Sequence, residues 1–570
     1  MYSDAAEKIL KRRNLRTVVL EVVLVLASAF VLSLAFPGFL SRDGWGFLAF
    51  VALIPLFAVI RNTSWKLVWV YGFLYGFFFY RVFNFWLSAF HPLANLLVQI
   101  IKGGEMILLF LALKAASSWF PRRLSYVLQA FFWTVYAYLS QTWFAGYPYG
   151  TIAYALFRYK ILIQIAQFSG IWLITFLVVL PQAFSGNWLC SVCSRTAVSR
   201  RVPFGEYVRE NRIGVIVWCV LVVFQVVYGA ITLSFWQNAE PDASFTVATV
   251  QHNADSWKGG YETYKTNFHN LERMSLEAAT RNPDMIIWSE TAFVPSVRWY
   301  TEHPYTGDDT GAGFDYLRSI QVLVDEFVQF GTGLGIPLLT GNPSSVLADG
   351  ETEPYTATGD WNHKLDYNSV ILFDEGRIKQ TYLKQHLVPF TEHFPYQRQM
   401  PALYNLLKSN DYHWWEKGTQ PVVFSTSTGI TFSTPICFED VFGYLCAGFV
   451  NNGANLLVNM TNDSWSGSVA AERQHMAMAV FRCIENRRAM IRGTNSGITC
   501  LIAPDGTILG EMEPFRMGWK IWDVPVYEQS TYGTTLYSRI NDLPMRILSY
   551  IGFVILACGA VNMILRKVRK

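Results

Sequence analysis

Seven stretches of mostly apolar residues precede Glu240 and an eighth lies near the C-terminal end; most reach the length of about 20 residues that an α-helix needs to cross a bilayer. They run Arg16 to Phe36, Trp45 to Ile60, Leu67 to Phe90, Leu93 to Phe120, Leu124 to Trp143, Ile161 to Phe184, Ile213 to Phe235 and Arg546 to Leu565. The second is short enough to be re-entrant. Such a chain must place part of itself in lipid, where every backbone polar group has to be satisfied internally. Composition agrees: 52% of the 570 residues are hydrophobic and 15% are charged, too apolar for an ordinary soluble protein.

Basic residues flank these spans. The segment "KRRNLR", Arg61 with Lys66, Lys114 with Arg122 and Arg123, and Arg195, Arg200, Arg201, Arg209 and Arg212 all fall on one side if every span crosses. Basic loops stay in the cytoplasm, so everything from Glu240 to Pro544 is expected outside it, with the eighth span returning the tail "RKVRK". Arg158 and Lys160 dissent from this pattern. The first span holds Glu21 and lacks a small-residue cleavage site, so it reads as a membrane helix and not as a cleavable signal. The organisation expected is a membrane domain over 1–239, an extracytoplasmic domain over 240–543, and a final helix with a basic tail over 544–570. A net charge of +4 is small for this length and argues against nucleic acid as a partner. Eight cysteines show no disulfide-scaffold spacing, and Cys190 with Cys193 forms one C-x-x-C without a second pair, read as two membrane-proximal thiols.

The segment after Glu240 has the texture of an α/β domain. Short runs such as "FTVATVQHN", "DMIIWSE", "PLLTGNP", "YNSVILFD" and "NLLVNMTND" alternate with helical stretches near Tyr261 to Thr280, Phe314 to Phe330 and Ala470 to Arg487. That alternation implies a sheet covered by helices. Three reactive side chains sit where an apolar strand gives way to a loop: Glu290 in "IIWSE", Lys384 in "TYLKQHLVPFTEHFP" and Cys437 in "STPICFED". Such positions hold a side chain rigidly yet leave it reachable. Taken singly, a Cys is more often a small buried hydrophobe, and a Glu or Lys a solvated charge.

The order Glu, Lys, Cys across three strand ends resembles the nitrilase, or carbon–nitrogen hydrolase, superfamily. With the membrane spans added, nearly the whole chain resembles the apolipoprotein N-acyltransferase family. The matching motifs are "VQHN" with Trp257, "WSETAFVP", "TGNP", "KQHLVPFTEHFP", "ICFED", "NDSW" and "QHMAMAVFRCIENRRAMIRGTNSGIT". The resemblance implies an α-β-β-α sandwich in which Glu290 is the general base, Lys384 the electrostatic helper and Cys437 the nucleophile. It implies further polar site roles for Glu392 and Glu439, and a place near the substrate entrance for Trp257 and Trp465, whose plain alternative is aromatic packing. Two departures concern the pocket: Ser466 stands where the family usually has an aromatic, and "NADSWKG" lacks the usual Ile-Pro after the Asn.

A free thiol near pKa 8.5 and a free Glu near 4.3 differ by about four units, roughly 6 kcal/mol against proton transfer. Burial of Glu290 and the ammonium of Lys384 are expected to close that gap. Glu439, two residues from Cys437, is expected to point away along a strand and to orient Lys384 or the pocket. The thiolate would attack an acyl ester, and an amine would then take the acyl group, giving ping-pong kinetics. The resemblance implies a phospholipid as acyl donor, the α-amino group of a lipoprotein's N-terminal diacylglyceryl-cysteine as acceptor, no cofactor, a monomer, and a bacterial inner-membrane location. His386, His393 and His475 form no H-E-x-x-H arrangement and read as polar packing or substrate contacts, not a metal site. The "GTGLG" run from Gly331 ends a helical stretch and so fails as a nucleotide loop. Rival readings are a membrane-tethered amidase or nitrilase, a transporter using the intramembrane pair Lys102 and Glu105, and a sensor that keeps the fold without the activity.

Overall fold

The computed structural model describes residues 15–90, 92–142, 146–193, 202–359, 363–408 and 414–568. Trp143, most of "KRRNLR", Arg195, Arg200, Arg201 and the end of "RKVRK" lie outside them, as does the side chain of Cys193. The chain divides into two compact units, one made of Met1–Gln237 with Ile540–Lys570 and the other of Asn238–Arg539.

In the first unit the main helices are Leu15–Leu34, Ile54–Asn62, Trp65–Phe83, Pro92–Trp119, Arg122–Thr142, Ile171–Cys193, Arg212–Asn238 and Leu543–Val568. Among the described residues, five helices are long and apolar enough to cross a membrane: Leu15–Leu34, Leu93–Trp119, Ile171–Cys190, Arg212–Asn238 and Leu543–Arg566. Tyrosines and tryptophans in Trp65–Phe83, and arginines and glutamines in Arg122–Thr142, keep those two out of that set. The second expected span is broken into a 3-10 turn, Gly46–Phe50, and the nine-residue helix Ile54–Asn62. The sixth is displaced. Its helix begins at Ile171, because Gly170 at φ +59° ends the short turn Ala166–Ser169 before it.

Packing in this unit relies on small residues. A Cβ on Gly72 or Gly76 would lie 2.8 Å from the carbonyl oxygens of Met106 and Lys102 respectively, so Trp65–Phe83 and Pro92–Trp119 meet backbone to backbone. Buried charges are compensated internally: Lys102 Nζ is 2.8 Å from Glu105 Oε2 one turn away, and the Tyr71 hydroxyl donates to Glu21 at 2.9 Å.

The second unit contains the strands β1 (Ala243–Gln251), β2 (Met285–Ile287), β3 (Leu338–Gly341), β4 (Ser344–Leu347), β5 (Lys364–Tyr367), β6 (Ser369–Asp374), β7 (Arg377–Leu383), β8 (Phe424–Ser425), β9 (Thr431–Ser433), β10 (Leu456–Thr461), β11 (Met490–Thr494), β12 (Cys500–Ile502), β13 (Ile508–Glu511) and β14 (Gly518–Val526). They form two six-stranded sheets, ordered β14-β1-β2-β3-β6-β7 and β13-β12-β11-β10-β9-β8. The centre of each is parallel, β1 to β2 to β3 and β9 to β10 to β11. The sheets face each other: a Cβ on Gly493 of β11 would meet Ile287 of β2 at 2.9 Å, and the Thr499 hydroxyl donates to Gln251 at 2.7 Å. Helices Tyr261–Ala279 and Ala312–Gly333 cover the first sheet through Phe268, Trp288, Phe293 and Phe327. Helix Val469–Asn486 packs on the second, with Cys483 against Ile502 and Arg473 paired to Glu511. This is the expected α-β-β-α sandwich, and "GTGLG" indeed begins in the last turn of a helix.

Candidate active site

Strand ends bring the site together. Glu290 follows β2, Lys384 follows β7, and Cys437 opens the 3-10 turn Cys437–Val441 beyond β9. Lys384 is 1% exposed and its Nζ donates to Glu392 Oε1 at 2.7 Å and to Glu290 Oε1 at 3.3 Å. Glu290 is held from three further sides. Asn368 Nδ2 donates to its Oε1 at 2.8 Å, the Asn462 N–H donates to its Oε2 at 2.9 Å, and its own backbone lies against Gly341 at the end of β3. A Cβ at Gly341 would come within 2.7 Å of Glu290 Cα and still closer to the next amide, so only glycine in "TGNP" permits the approach. Glu392 Oε2 accepts from the Val388 N–H at 2.8 Å, which folds the "KQHLVPFTE" loop back on its own lysine.

Cys437 has a left-handed backbone, φ +48°, which costs a non-glycine residue about 1–2 kcal/mol. The turn is held by its surroundings. Ile436 bridges to Met460 in parallel fashion, and Asn459 Nδ2 donates to the carbonyls of Pro435 at 3.0 Å and Cys437 at 3.3 Å. Glu439 belongs to this 3-10 turn and not to the expected strand, and its carboxylate turns to Tyr382 and to backbone, with no hydrogen bond to the Cys437 sulfur among those described. Fully buried, its carboxylate accepts from the N–H groups of Gln385 (2.7 Å), His386 (2.9 Å) and Ile436 (2.8 Å) and from the Tyr382 hydroxyl (2.9 Å). It thereby ties the lysine loop to the nucleophile turn through backbone. It makes no hydrogen bond to the Lys384 ammonium among those described.

Electrostatics follow from this enclosure. Burial, and then Glu392, push the Glu290 carboxyl up, while Lys384 and Asn368 oppose the shift. Burial disfavours the Lys384 ammonium, but Glu392, Glu290 and Cys437 outweigh it and hold the group protonated. Burial, seconded by Glu290, drives the Cys437 thiol well above its ordinary range, and the ammonium only partly compensates. The expected lowering of the thiol is therefore not found: beside a charged Glu290 a thiolate would be a second buried anion. Moving the proton from Cys437 to Glu290 removes that repulsion, so thiolate formation is coupled to the protonation of the base. Burial also lifts Glu439 to about 7.

The two tryptophans sit on neighbouring loops. Trp257 is 62% exposed after β1, and Trp465 is half-buried in the 3-10 turn Ser464–Ser466. Asn495 joins these loops, donating to the Ala254 carbonyl at 2.8 Å and to Asn462 Oδ1 at 3.0 Å. Ser466, at the departure from the usual aromatic, is buried at 1% exposure. His386 and His475 are packed against polar partners, the first on the Tyr444 hydroxyl and the second between Asp440 and Asp463. Sequence reasoning missed Asn368, which bridges both glutamates, and Tyr382 and Asn459, which brace the turn. Asn368 left no signal of its own, standing between β5 and the apolar run of β6.

Comparison with known proteins converges on the same family. Residues 28–184 match the profile described as the apolipoprotein N-acyltransferase N-terminal domain, and residues 246–530 match the profile described as carbon-nitrogen hydrolase. Apolipoprotein N-acyltransferase 1 of Treponema denticola is 35% identical over 536 residues, covering 92% of this chain and 93% of its own. Its namesake in Treponema pallidum is 36% identical over 513 residues, covering 89% and 90%. The apolipoprotein N-acyltransferase of Borreliella burgdorferi is 26% identical over 533 residues, covering 91% and 92%. Similarity of this extent along both units places the chain in the apolipoprotein N-acyltransferase family, the membrane-bound branch of the carbon–nitrogen hydrolases.

Proposed function

We propose that the chain completes lipoprotein maturation by moving an acyl chain from a membrane phospholipid to the α-amino group of an N-terminal diacylglyceryl-cysteine, through a thioester on Cys437. Glu290 takes the thiol proton as sulfur attacks the ester carbonyl carbon; the carbon–oxygen bond breaks and the lysophospholipid alkoxide leaves with that proton. Lys384 stabilises first the sulfur anion and then the oxyanion. In the second half-reaction the amine attacks the thioester, Glu290 receives the amine proton and returns it to the departing sulfur, and an amide is formed. Glu392 keeps Lys384 charged, Glu439 fixes the two loops, and Trp257 and Trp465 flank the acyl entrance. The observation that carries this reading is the buried Lys384 ammonium shared by Glu290 and Glu392, electrostatically coupled to the Cys437 sulfur. No cofactor enters these steps, and one copy of the chain holds every group they use.

The reading extends to topology. Residues 1–239 and 544–570 form the membrane portion with eight crossings, the basic loops lie in the cytoplasm, and the catalytic portion 240–543 faces the periplasm of a bacterial inner membrane. The test is intact mass spectrometry of the purified protein in phospholipid micelles without acceptor. One added acyl chain is expected, absent from Cys437→Ala and Glu290→Ala and discharged by a diacylated lipopeptide. Steady release of free fatty acid with no adduct would make the protein a hydrolase instead.

A further inference from the structure

A chain of polar contacts leads from beside the nucleophile turn into the protein. The bridge of Ile436 to Met460 sets Cys437 beside Thr461, the last residue of β10, and burial, which raises the Cys437 thiol most, is opposed in part by the Thr461 hydroxyl. The same hydroxyl is 3.3 Å from Asp463 Oδ1. Asp463 accepts from His475 Nδ1 at 3.1 Å, while His475 Nε2 donates to Asp440 Oδ1 at 2.8 Å. Both ring nitrogens thus face carboxylates, so both carry protons and the ring is an imidazolium. Arg492 closes the circuit by pairing with Asp440, with its second nitrogen 3.9 Å from Asp463. Asp440, His475, Asp463 and Arg492 are each at most 5% exposed.

Two details give this chain a direction. Asp440 stands three residues after the nucleophile, and Asp463 directly follows Asn462, whose N–H holds the base Glu290. His475 therefore clamps the nucleophile turn to the segment whose N–H holds the base. Asp463 is also satisfied without Thr461, because His475 and Arg492 already neutralise it. The hydroxyl, with its single proton, is free to turn from Asp463 to sulfur.

Resting on the assignment of Cys437 as nucleophile, we propose that Thr461 is a further catalytic residue, its hydroxyl proton swinging from Asp463 to the Cys437 sulfur as the thiol proton passes to Glu290, with His475 as the positioning residue that sets this geometry. No atom is gained or lost: the thiol S–H bond breaks, a Glu290 O–H bond forms, and the threonine keeps its proton while changing acceptor. When the thioester forms, sulfur loses its charge and the hydroxyl returns to Asp463.

The test uses the full-length enzyme in phospholipid micelles and the variants Thr461→Val, Thr461→Ser, Thr461→Ala and His475→Gln. Two quantities are followed: the rate of acyl-adduct formation without acceptor, and the pH profile of Cys437 alkylation by iodoacetamide. The groups acting on that sulfur are Glu290, Lys384, Asp463, Thr461 and Arg492. Valine, nearly isosteric, is expected to slow adduct formation about 10- to 100-fold and to move the alkylation profile to higher pH, whereas serine restores both. His475→Gln is expected to slow adduct formation without raising the phospholipid concentration for half-saturation. A valine variant acylating at the wild-type rate with an unchanged profile overturns the proposal. So does a serine variant no faster than Thr461→Ala, which decides the matter even where valine costs the fold. Absence of both adduct and fatty-acid release in the wild type refutes the nucleophile assignment itself, and the alkylation profile still reports separately whether Thr461 acts on the thiol.

Discussion

Asn368 shows how much of this site depends on a single uncharged side chain. Its amide reaches Glu290 and Glu392 at once, so one residue fixes the spacing of the two carboxylates around the Lys384 ammonium. Replacing it with alanine is expected to reduce the acylation rate by about tenfold, the worth of one hydrogen bond to a charged group, with a small change in Tm; single-turnover mass spectrometry checks it. Glu439 makes a different prediction. Burial raises its carboxyl from 4.5 to about 7, so the folded state holds the proton more tightly than the unfolded chain. The group therefore costs stability as pH rises from 4.5 through 7, by up to about 3 kcal/mol. Thermal melts should show a steeper fall over that range for the wild type than for Glu439→Gln. Glu290, Lys384 and Cys437 were legible in sequence because each ends an apolar run with a reactive group. Asn368 was not, because an amide beside a strand start has no pattern of its own, and Glu439 was placed on a strand where a 3-10 turn stands.

At the scale of elements, helix Val469–Asn486 is enclosed along nearly its whole length, with Arg473, His475, Arg482 and Glu485 all buried and paired. Its helical character was readable in sequence; its enclosure was not, since its charged residues imitate a solvated face. Strands β12, β13 and β14 escaped notice for a related reason: they are short or interrupted by glycine and proline, and pairing, not propensity, makes them strands. His475 is raised to about 9, because its two carboxylates outweigh burial, the largest single influence on it. A raised histidine stabilises fully below its ordinary value of 6.5, and that contribution is lost as pH climbs through 9. The Tm deficit of His475→Gln should accordingly be largest below pH 6.5 and shrink towards pH 9. In the membrane unit, Gly76→Ile would drive a side chain into Lys102 and Gly103 of the neighbouring helix. It is expected to lower the detergent-solubilised Tm by several degrees, with loss of yield.

For the whole molecule, the proposed eight-crossing topology predicts opposite accessibility for two exposed positions. Asp309→Cys should react with a membrane-impermeant maleimide in intact spheroplasts, and Glu210→Cys only after permeabilisation. The membrane unit is also discontinuous: Met1–Gln237 is completed by Ile540–Lys570. The last helix packs on Pro92–Trp119 and Arg122–Thr142, and Asp542 accepts from the Trp172 indole at 2.7 Å. During synthesis these partners wait while about 300 intervening residues are made, a delay of about 15–60 s at ~5–20 residues per second. The nascent membrane helices must persist through that interval with an open flank, so assembly of this protein is paced by translation of the insert, and any factor that shields the unfinished bundle would act within that window.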